Sequence, residues 1–283
     1  MSNGVNKILI VTKPDDENAS SLGAEMTDFL SEIGVFVEVC EHRPDSCEAE
    51  EKVAGQYDLI LVLGGDGTFI GVARRMLPLA APLMGVNLGR VGFLAQIHRD
   101  HWKQWLSSVV SDGLNVSRRL VLEYEVTRRG VVIHTGLAVN DLVISRGVLA
   151  RLIRLGVGYN KLDLSTFRAD GLIISTPTGS SAYGVSAGGP LMYADLLAYC
   201  VTPVCPFLNS FKPMVFPADG ECVVRVEEAG GEVNLTEDGQ SLLALEHGDE
   251  ICVRRCPTDL LVVNLGTEAY FDKLKKHGFL TEK

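Results

Sequence analysis

The spacing of apolar and polar residues differs between the two halves of this chain. In the first half, short runs of branched apolar residues predict buried strands at 7–12, 35–40, 58–63 and 82–86. After the first run, apolar residues recur at helical spacing, at Leu22, Met26, Phe29, Leu30 and Ile33. Continuous apolar strands that alternate with helices are typical of a parallel sheet covered by helices. Residues 1–115 are therefore predicted to form an α/β domain with a parallel sheet.

The pattern changes near residue 116 to the shorter period of β-strands. Residues 120–135 alternate and are interrupted by an Arg-Gly pair, as in a hairpin. Short strand-like segments follow, with one candidate helix at 179–188. A final amphipathic helix is predicted to begin near Thr267. We therefore predict a β-rich domain at 116–258 and a C-terminal segment at 259–283.

Charge and cysteine content exclude some classes of function. The 283 residues carry 36 acidic and 26 basic side chains, a net charge of −10, which argues against general nucleic-acid binding. An anionic ligand stays compatible if local basic groups or a metal ion supply positive potential. The N-terminus does not resemble a signal peptide, and no apolar run is long enough to predict a membrane span. We therefore expect no membrane partner, and seven scattered cysteines predict reduced thiols in a cytoplasmic protein.

A glycine-rich turn directly follows the third predicted strand and precedes a predicted helix. Its residues are Gly64, Gly65, Asp66, Gly67 and Thr68. Glycines let the backbone approach a ligand, and free amides at a helix start favour an anion such as a phosphate. A carboxylate would repel that phosphate, so its presence suggests a group linked to a metal or a base for an attacking hydroxyl. The alternative is a tight turn in which the aspartate only caps the helix.

Three further segments contain candidate chemistry. Residues 169–190 are rich in small and hydroxyl side chains around Tyr183, which suits a ligand that stacks on an aromatic ring. The sequence GVSAG within them also fits a hydrolase nucleophile elbow, although that motif requires a strand directly before it. Asn140 and Asp141 lie side by side in a strand pattern. His98 and His101 fall on a predicted helix, and without a third ligand they do not predict a zinc site.

Five of these motifs in order resemble the NAD kinase family. They are LGGDGT (63–68), NLGRVGFL (87–94), NDLVISRG (140–147), RADGLIISTPTGSSAYGVSAGGP (168–190) and EDGQ (237–240). The glycine-aspartate turn alone is shared with lipid kinases and phosphofructokinases, whereas the fourth motif separates this chain from them. The resemblance implies an N-terminal α/β domain, a β-rich C-terminal domain and a C-terminal helix that returns to the first domain.

The resemblance also implies a reaction, in which the γ-phosphate of ATP is transferred to the 2′-hydroxyl of the adenosine ribose of NAD. It places Asp66 at the proton acceptor and the flanking turn residues at the phosphates. It places the dinucleotide at Asn140, Asp141, Arg151, Arg168, Asp170, Ser181, Ala182, Tyr183, Gly184, Val185, Ser186 and Gln240. A divalent cation, expected to be Mg²⁺, and a homodimer or homotetramer with the dinucleotide site near a subunit interface are further implications.

Some features depart from the family pattern or leave alternatives open. Ser181 stands where the family commonly has Thr, and Phe207 stands where many members have His. The choice between ATP and polyphosphate as donor is not predicted by the sequence. A lipid or sugar kinase that shares the glycine turn, and an inactive dinucleotide-binding sensor, are the alternative functions.

Overall fold

The computed structural model describes residues 4–43, 57–89, 92–147, 151–229 and 231–281. The chain divides into two compact units. The first unit consists of Met1–Arg118 together with Leu260–Lys283, and the second unit consists of Arg119–Asp259. The domain limits at residues 115 and 258 stay predictions.

Secondary structure within the described residues follows the predicted change of period. The strands are β1 Lys7–Thr12, β2 Phe36–Glu41, β3 Leu59–Leu63, β4 Leu83–Asn87, β5 Ala95–His98, β6 Val116–Arg119, β7 Leu122–Arg128, β8 Val131–Ala138, β9 Asp141–Arg146, β10 Ile153–Tyr159, β11 Leu162–Ala169, β12 Gly171–Ser175, β13 Ala198–Val204, β14 Met214–Pro217, β15 Cys222–Glu228, β16 Val233–Glu237, β17 Ser241–Leu245, β18 Glu250–Arg255 and β19 Leu260–Val263. The α-helices are α1 Glu17–Glu32, α2 Asp66–Met76, α3 Trp102–Asp112, α4 Tyr183–Ser186 and α5 Thr267–Lys276.

The first unit is built on one sheet with strand order β2-β1-β3-β4-β19-β6, and β5 also pairs with β4. The pairs β1–β2, β1–β3, β3–β4, β4–β5 and β4–β19 are parallel. Every residue of β3 and β4 is buried, which explains why β3 is apolar throughout and why Asn87 at the end of β4 is the one polar residue in the two strands. Because these strands are parallel, their carboxyl ends meet at one edge of the sheet, where ligands bind in open α/β sheets.

Helix α5 belongs to the first unit although it lies at the other end of the chain. Strand β19 pairs with β4, and Lys273 of α5 donates a hydrogen bond to the Phe93 carbonyl at 2.8 Å. The predicted α/β fold, β-rich second part and returning C-terminal helix are thereby confirmed.

The second unit contains two six-stranded antiparallel sheets, in the orders β11-β10-β15-β18-β7-β8 and β14-β13-β12-β9-β16-β17. A continuous apolar core joins these two sheets. It includes Tyr124 and Val224 from the sheet that runs from β11 to β8, and Ile144 and Leu172 from the sheet that runs from β14 to β17. The two sheets therefore pack face to face as a sandwich.

Two local predictions were wrong. The segment predicted as a helix at 179–188 is a 3-10 turn at Gly179–Ser181 followed by the single turn of α4, because Ala182 has non-helical angles of φ −92° and ψ −120°. His98 ends β5 and His101 precedes α3, so the two histidines do not share a helix. Most of the segment predicted as a loop or exposed helix at 41–52 lies outside the described residues.

Candidate active site

The glycine turn connects β3 to α2 at the carboxyl edge of the first sheet. Gly64 donates to the Val86 carbonyl at 3.1 Å, and Gly65 is the N-cap residue of α2. A Cβ on Gly64 would lie 2.8 Å from the Cβ of Thr68, so the turn requires glycine there. Gly65 and Gly67 are exposed, which leaves the first turn of α2 accessible from solvent.

An open cavity of about 300 Å³ lies beside this turn, lined by Lys13, Asp16, Asn18, Gly64, Gly65, Asn87, Leu88 and Gly89. These residues lie at the carboxyl ends of β1, β3 and β4, and they include Asp16 and Gly65, the N-cap residues of α1 and α2. The start of α2 and the Lys13 ammonium favour an anion, whereas Asp16 already accepts from the Asn18 and Ala19 amides at the start of α1 and lies 3.8 Å from Lys13 Nζ. Our sequence analysis missed Lys13, although its position directly after the first predicted strand was a usable signal.

The Asp66 carboxylate is fixed by backbone donors from a different part of the first unit. Its Oδ2 accepts from the Phe93 amide at 2.6 Å, and its Oδ1 accepts from the Leu94 and Ala95 amides at 2.9 and 3.0 Å. A carboxylate offers about four lone-pair positions, so within the described residues one position of Oδ2 stays open. Asp66 is thus a carboxylate held by three backbone amides, with one acceptor position open among the described residues.

The helix-cap alternative for Asp66 is not supported by this geometry. Asp66 is the first residue of α2 rather than its cap, and no cap bond from a side chain is found at this helix start in the described residues. Its carboxylate bonds outward, to the segment that precedes β5. The close approach also depends on Gly92, since a Cβ at residue 92 would lie 2.2 Å from Asp66 Oδ1.

A second carboxylate with the same kind of hydrogen bonding lies in the second unit. Asp238, in the turn between β16 and β17, accepts from the amides of Val139, Asn140 and Asp141 at 3.0, 2.7 and 3.0 Å. It fixes the start of β9, where the predicted Asn140 and Asp141 lie. Of the EDGQ motif, the sequence analysis assigns a role only to Gln240, so Asp238 is a further residue that it missed.

The segment after β12 packs directly on Asn140. The Thr176 amide donates to the Asn140 carbonyl at 2.9 Å, and a Cβ on Gly179 would lie 2.0 Å from that oxygen. Asn140 Oδ1 and Thr178 Oγ1 are buried, and no partner is found for either among the described residues. Buried polar atoms normally have partners, so these two atoms fit a site that binds a polar ligand.

A neighbouring open cavity of about 350 Å³ is lined by Val143, Ser145, Arg146, Gly147, Asp170, Gly171, Tyr183 and Val204. Arg146 Nε donates to Asp170 Oδ1 at 2.5 Å, and Tyr183 is 47% exposed. The exposed ring beside a charged pair could stack on a base while polar groups orient it.

The structure brings some of the predicted dinucleotide residues together and leaves others apart. Asp170 and Tyr183 line the same cavity, and the Tyr183 amide is hydrogen-bonded to Asp141. The positions of the rest follow from their elements: Ser181 in the 3-10 turn, Ala182 at the break, Gly184, Val185 and Ser186 in α4, and Gln240 in the turn before β17. Arg151 is exposed before β10, and Arg168 of β11 pairs with Glu228 at 3.1 Å; neither lines the cavity.

The hydrolase alternative is not supported by the placement of Ser186. A nucleophile elbow needs its serine on a turn directly after a strand. Strand β12 ends at Ser175, and Ser186 is the last residue of α4.

Burial raises the pKa of the Asp141 carboxyl from 3.8 to about 7, helped by the charge of Asp238 and opposed by a hydrogen bond from the Tyr183 amide. Its raised pKa stabilises the fold at low pH, and this contribution is lost as the pH rises from about 4 through about 7. We expect Asp141→Asn, which stays neutral, to gain stability relative to wild type across this window, by at most about 4 kcal/mol at 1.36 kcal/mol per unit.

Urea unfolding at pH 5 and pH 8 measures this effect. Asp163→Asn is the matched control, because Asp163 is 85% exposed and pairs with Arg225 at the surface. Its difference from wild type should be similar at both pH values. A difference for Asp141→Asn that does not grow between pH 5 and pH 8 would contradict the prediction.

No group of three or more His, Cys, Asp or Glu suited to a metal is found in the described residues. Mg²⁺ in phosphoryl-transfer sites is commonly held by substrate phosphates, waters and one or two carboxylates. Among the described residues, no helix is long and apolar enough to span a membrane.

Comparison with known proteins agrees with this arrangement. Residues 45–114 match the ATP-NAD kinase N-terminal domain, and residues 139–265 match the ATP-NAD kinase C-terminal domain. NAD kinase from Nitratidesulfovibrio vulgaris (strain Miyazaki F) is 45% identical over the full length of both chains. NAD kinase from Oleidesulfovibrio alaskensis is 42% identical and covers 100% of this chain and 96% of its own.

Solved structures share the fold at lower identity. A yeast NADH kinase complexed with NADH is 23% identical with a TM-score of 0.85, over 99% of this chain and 89% of that one. An NAD kinase from Archaeoglobus fulgidus in complex with ATP is 23% identical with a TM-score of 0.73, over 95% and 98%. On its match to both family domains and its full-length identity to curated relatives, this chain belongs to the NAD kinase family.

Proposed function

We propose that this protein is an NAD kinase that transfers the γ-phosphate of ATP to the 2′-hydroxyl of the adenosine ribose of NAD, giving NADP. The observation that carries the proposal is the Asp66 carboxylate, held at a glycine turn by three backbone amides, with one Oδ2 position left open by the part of the chain that the structure describes. Such a carboxylate is suited to accept a proton from a hydroxyl. The identity of the substrates, ATP and NAD, is inferred from membership of the NAD kinase family.

The cavity at the carboxyl edge of the first sheet is proposed to bind the phosphates of ATP. The amides at the start of α2 and the Lys13 ammonium would bind the phosphate oxygens, while Gly64 and Gly65 allow their close approach. Phosphoryl transfer depends mainly on positioning and charge neutralisation. Mg²⁺, when bound with ATP, would neutralise part of the phosphate charge and so reduce the repulsion between the phosphates and the Asp66 carboxylate.

Asp66 is proposed to be the general base of the reaction. Its Oδ2 would accept the proton of the 2′-hydroxyl as the oxygen attacks the γ-phosphorus and the bond to the ADP leaving oxygen breaks. The three amide donors keep the carboxylate in one orientation. That fixed orientation reduces the entropy lost in reaching the transition state.

The dinucleotide is proposed to bind the second unit through Asn140, Asp141 and Tyr183, with the remaining family positions around them. The buried Asn140 Oδ1 and Thr178 Oγ1 support this proposal, since NAD offers donors that could satisfy them. Asp238 would keep Asn140 and Asp141 in place through their backbone amides.

An assay with ATP, Mg²⁺ and NAD, scored by NADP formation, tests the proposed function. NADP formation supports it. Phosphorylation of a lipid or sugar but not of NAD would favour the alternative kinases that share the turn. NAD binding without any turnover would favour an inactive sensor, and a parallel reaction with polyphosphate determines the donor.

We expect Arg168 to influence the choice between NAD and NADH. In the family, a basic residue here accompanies NAD selectivity and smaller residues accompany use of both forms. Arg168→Gly should lower the ratio of kcat/KM for NAD to that for NADH. Arg154→Gly is the control, because Arg154 lies opposite Arg168 in the β10–β11 pairing. Equal ratios in wild type and Arg168→Gly would remove Arg168 from the selectivity.

We further propose that the protein is a cytoplasmic homodimer or homotetramer, with the dinucleotide site near a subunit interface. Strand β8 is at the edge of its sheet and exposes Val131, Val132 and Ile133, while Leu162 and Leu164 are exposed on β11 at the opposite edge. Exposed apolar edge strands favour association. Sedimentation that finds a fully active monomer at micromolar concentration would contradict the proposal.

A further inference from the structure

The backbone segment that holds Asp66 is itself held by the C-terminal helix. Lys273 Nζ of α5 donates to the Phe93 carbonyl oxygen at 2.8 Å. That carbonyl and the Leu94 N–H belong to the same peptide group, and the Leu94 N–H donates to Asp66 Oδ1 at 2.9 Å. Because a peptide group is planar and rigid, the ammonium on one side orients the N–H on the other.

The Phe93 side chain is fixed by the same end of the chain. Its ring meets Tyr270 and Phe279 edge-on, with centroids 6.4 and 6.1 Å apart, and it lies 5.6 Å from the His277 ring. The Lys273 ammonium is also 5.3 Å from the centre of the Phe93 ring. Helix α5 and the residues after it therefore hold both the backbone and the ring of Phe93.

We propose that Lys273 is a positioning residue for Asp66. The proposal rests on the role of Asp66 as general base. The Lys273 ammonium fixes the plane of the Phe93–Leu94 peptide. It also polarises that peptide, which strengthens the hydrogen bond from the Leu94 N–H to the Asp66 carboxylate. Without this donor the peptide can rotate, and Asp66 no longer presents its open Oδ2 position in one orientation.

Steady-state kinetics of Lys273→Met test the proposal. Misplacing a reacting group by a fraction of an ångström lowers the rate of the chemical step, so we expect kcat to fall about tenfold while KM for ATP and NAD stays within about twofold. Lys273→Arg keeps a donor and should recover most of the lost kcat. An unchanged kcat in Lys273→Met, or an Arg variant no better than the Met variant, would overturn the proposal.

Lys275→Met is the matched control. It removes the same charge from the same helix. Lys275 pairs with Asp272 at 3.2 Å, and within the described residues it makes no hydrogen bond to Phe93. It should keep wild-type kcat. Amide hydrogen exchange at residues 92–97 should be faster in Lys273→Met than in Lys275→Met at equal global stability. Equal exchange in the two variants would also overturn the proposal.

The role of Asp66 and the role of Lys273 can fail separately. Near-normal kcat in Asp66→Asn would refute the general base, whatever Lys273 does. Loss of kcat in Asp66→Asn together with wild-type kcat in Lys273→Met would leave the base in place and refute only the positioning residue.

Discussion

Asp66→Asn is expected to lower kcat by about 10²–10⁴, because asparagine cannot accept the 2′-hydroxyl proton. This loss corresponds to about 3–5 kcal/mol of transition-state stabilisation at 1.36 kcal/mol per decade. The substitution should also lower stability. In wild type the Phe93 N–H donates to Asp66 Oδ2 at 2.6 Å, and in the variant this N–H would face the amide nitrogen of the asparagine. Two donors that face each other without an acceptor cost about 1–3 kcal/mol of stability.

Activity and folding must therefore be measured on the same sample, with kcat determined well below the melting temperature. Asp58→Asn is the matched control, since Asp58 Oδ2 accepts from the amides of Asn6 and Lys7 at 2.8 and 2.9 Å in the same unit. It changes a structural carboxylate away from the glycine turn, so kcat should stay within about twofold of wild type. Near-normal kcat in Asp66→Asn would leave Asp66 with a structural role only.

Gly92→Ala is expected to lower kcat by about 10² although Asp66 itself is unchanged. The added Cβ would lie 2.2, 2.5 and 2.6 Å from Asp66 Oδ1, Cγ and Oδ2. The carboxylate cannot move aside without losing amide donors, so either Asp66 or the segment 93–95 must shift. Overpacking of this kind also costs about 1–3 kcal/mol of stability.

Gly4→Ala provides the control for a glycine substitution in the same unit. A Cβ there would meet only the Val110 carbonyl oxygen at 3.9 Å, an ordinary contact. We expect its kcat and melting temperature to stay near those of wild type. If Gly92→Ala kept more than half of the wild-type kcat per folded molecule, the carboxylate would not need the orientation that the structure gives it.

The sequence alone predicted those parts of the fold that depend on local patterns. The apolar runs identified β1, β3 and β4 because a strand covered on both faces is apolar along its middle positions. The Arg-Gly pair identified the β7–β8 hairpin because these residues adopt positive φ, 52° and 78°. The same patterns could not predict the break at Ala182 within 179–188, since small residues suit either a helix or a turn.

For the candidate site, the sequence by itself determined which residue types are present and which family they indicate, because its motifs are short and contiguous. Only the tertiary structure decided what each carboxylate contacts. Asp66 meets amides about 27 to 29 residues away, and Asp238 meets amides about 97 to 99 residues away. Lys273 reaches Phe93 from 180 residues away. Such contacts arise from strand order and the return of α5, which no local pattern of side chains specifies.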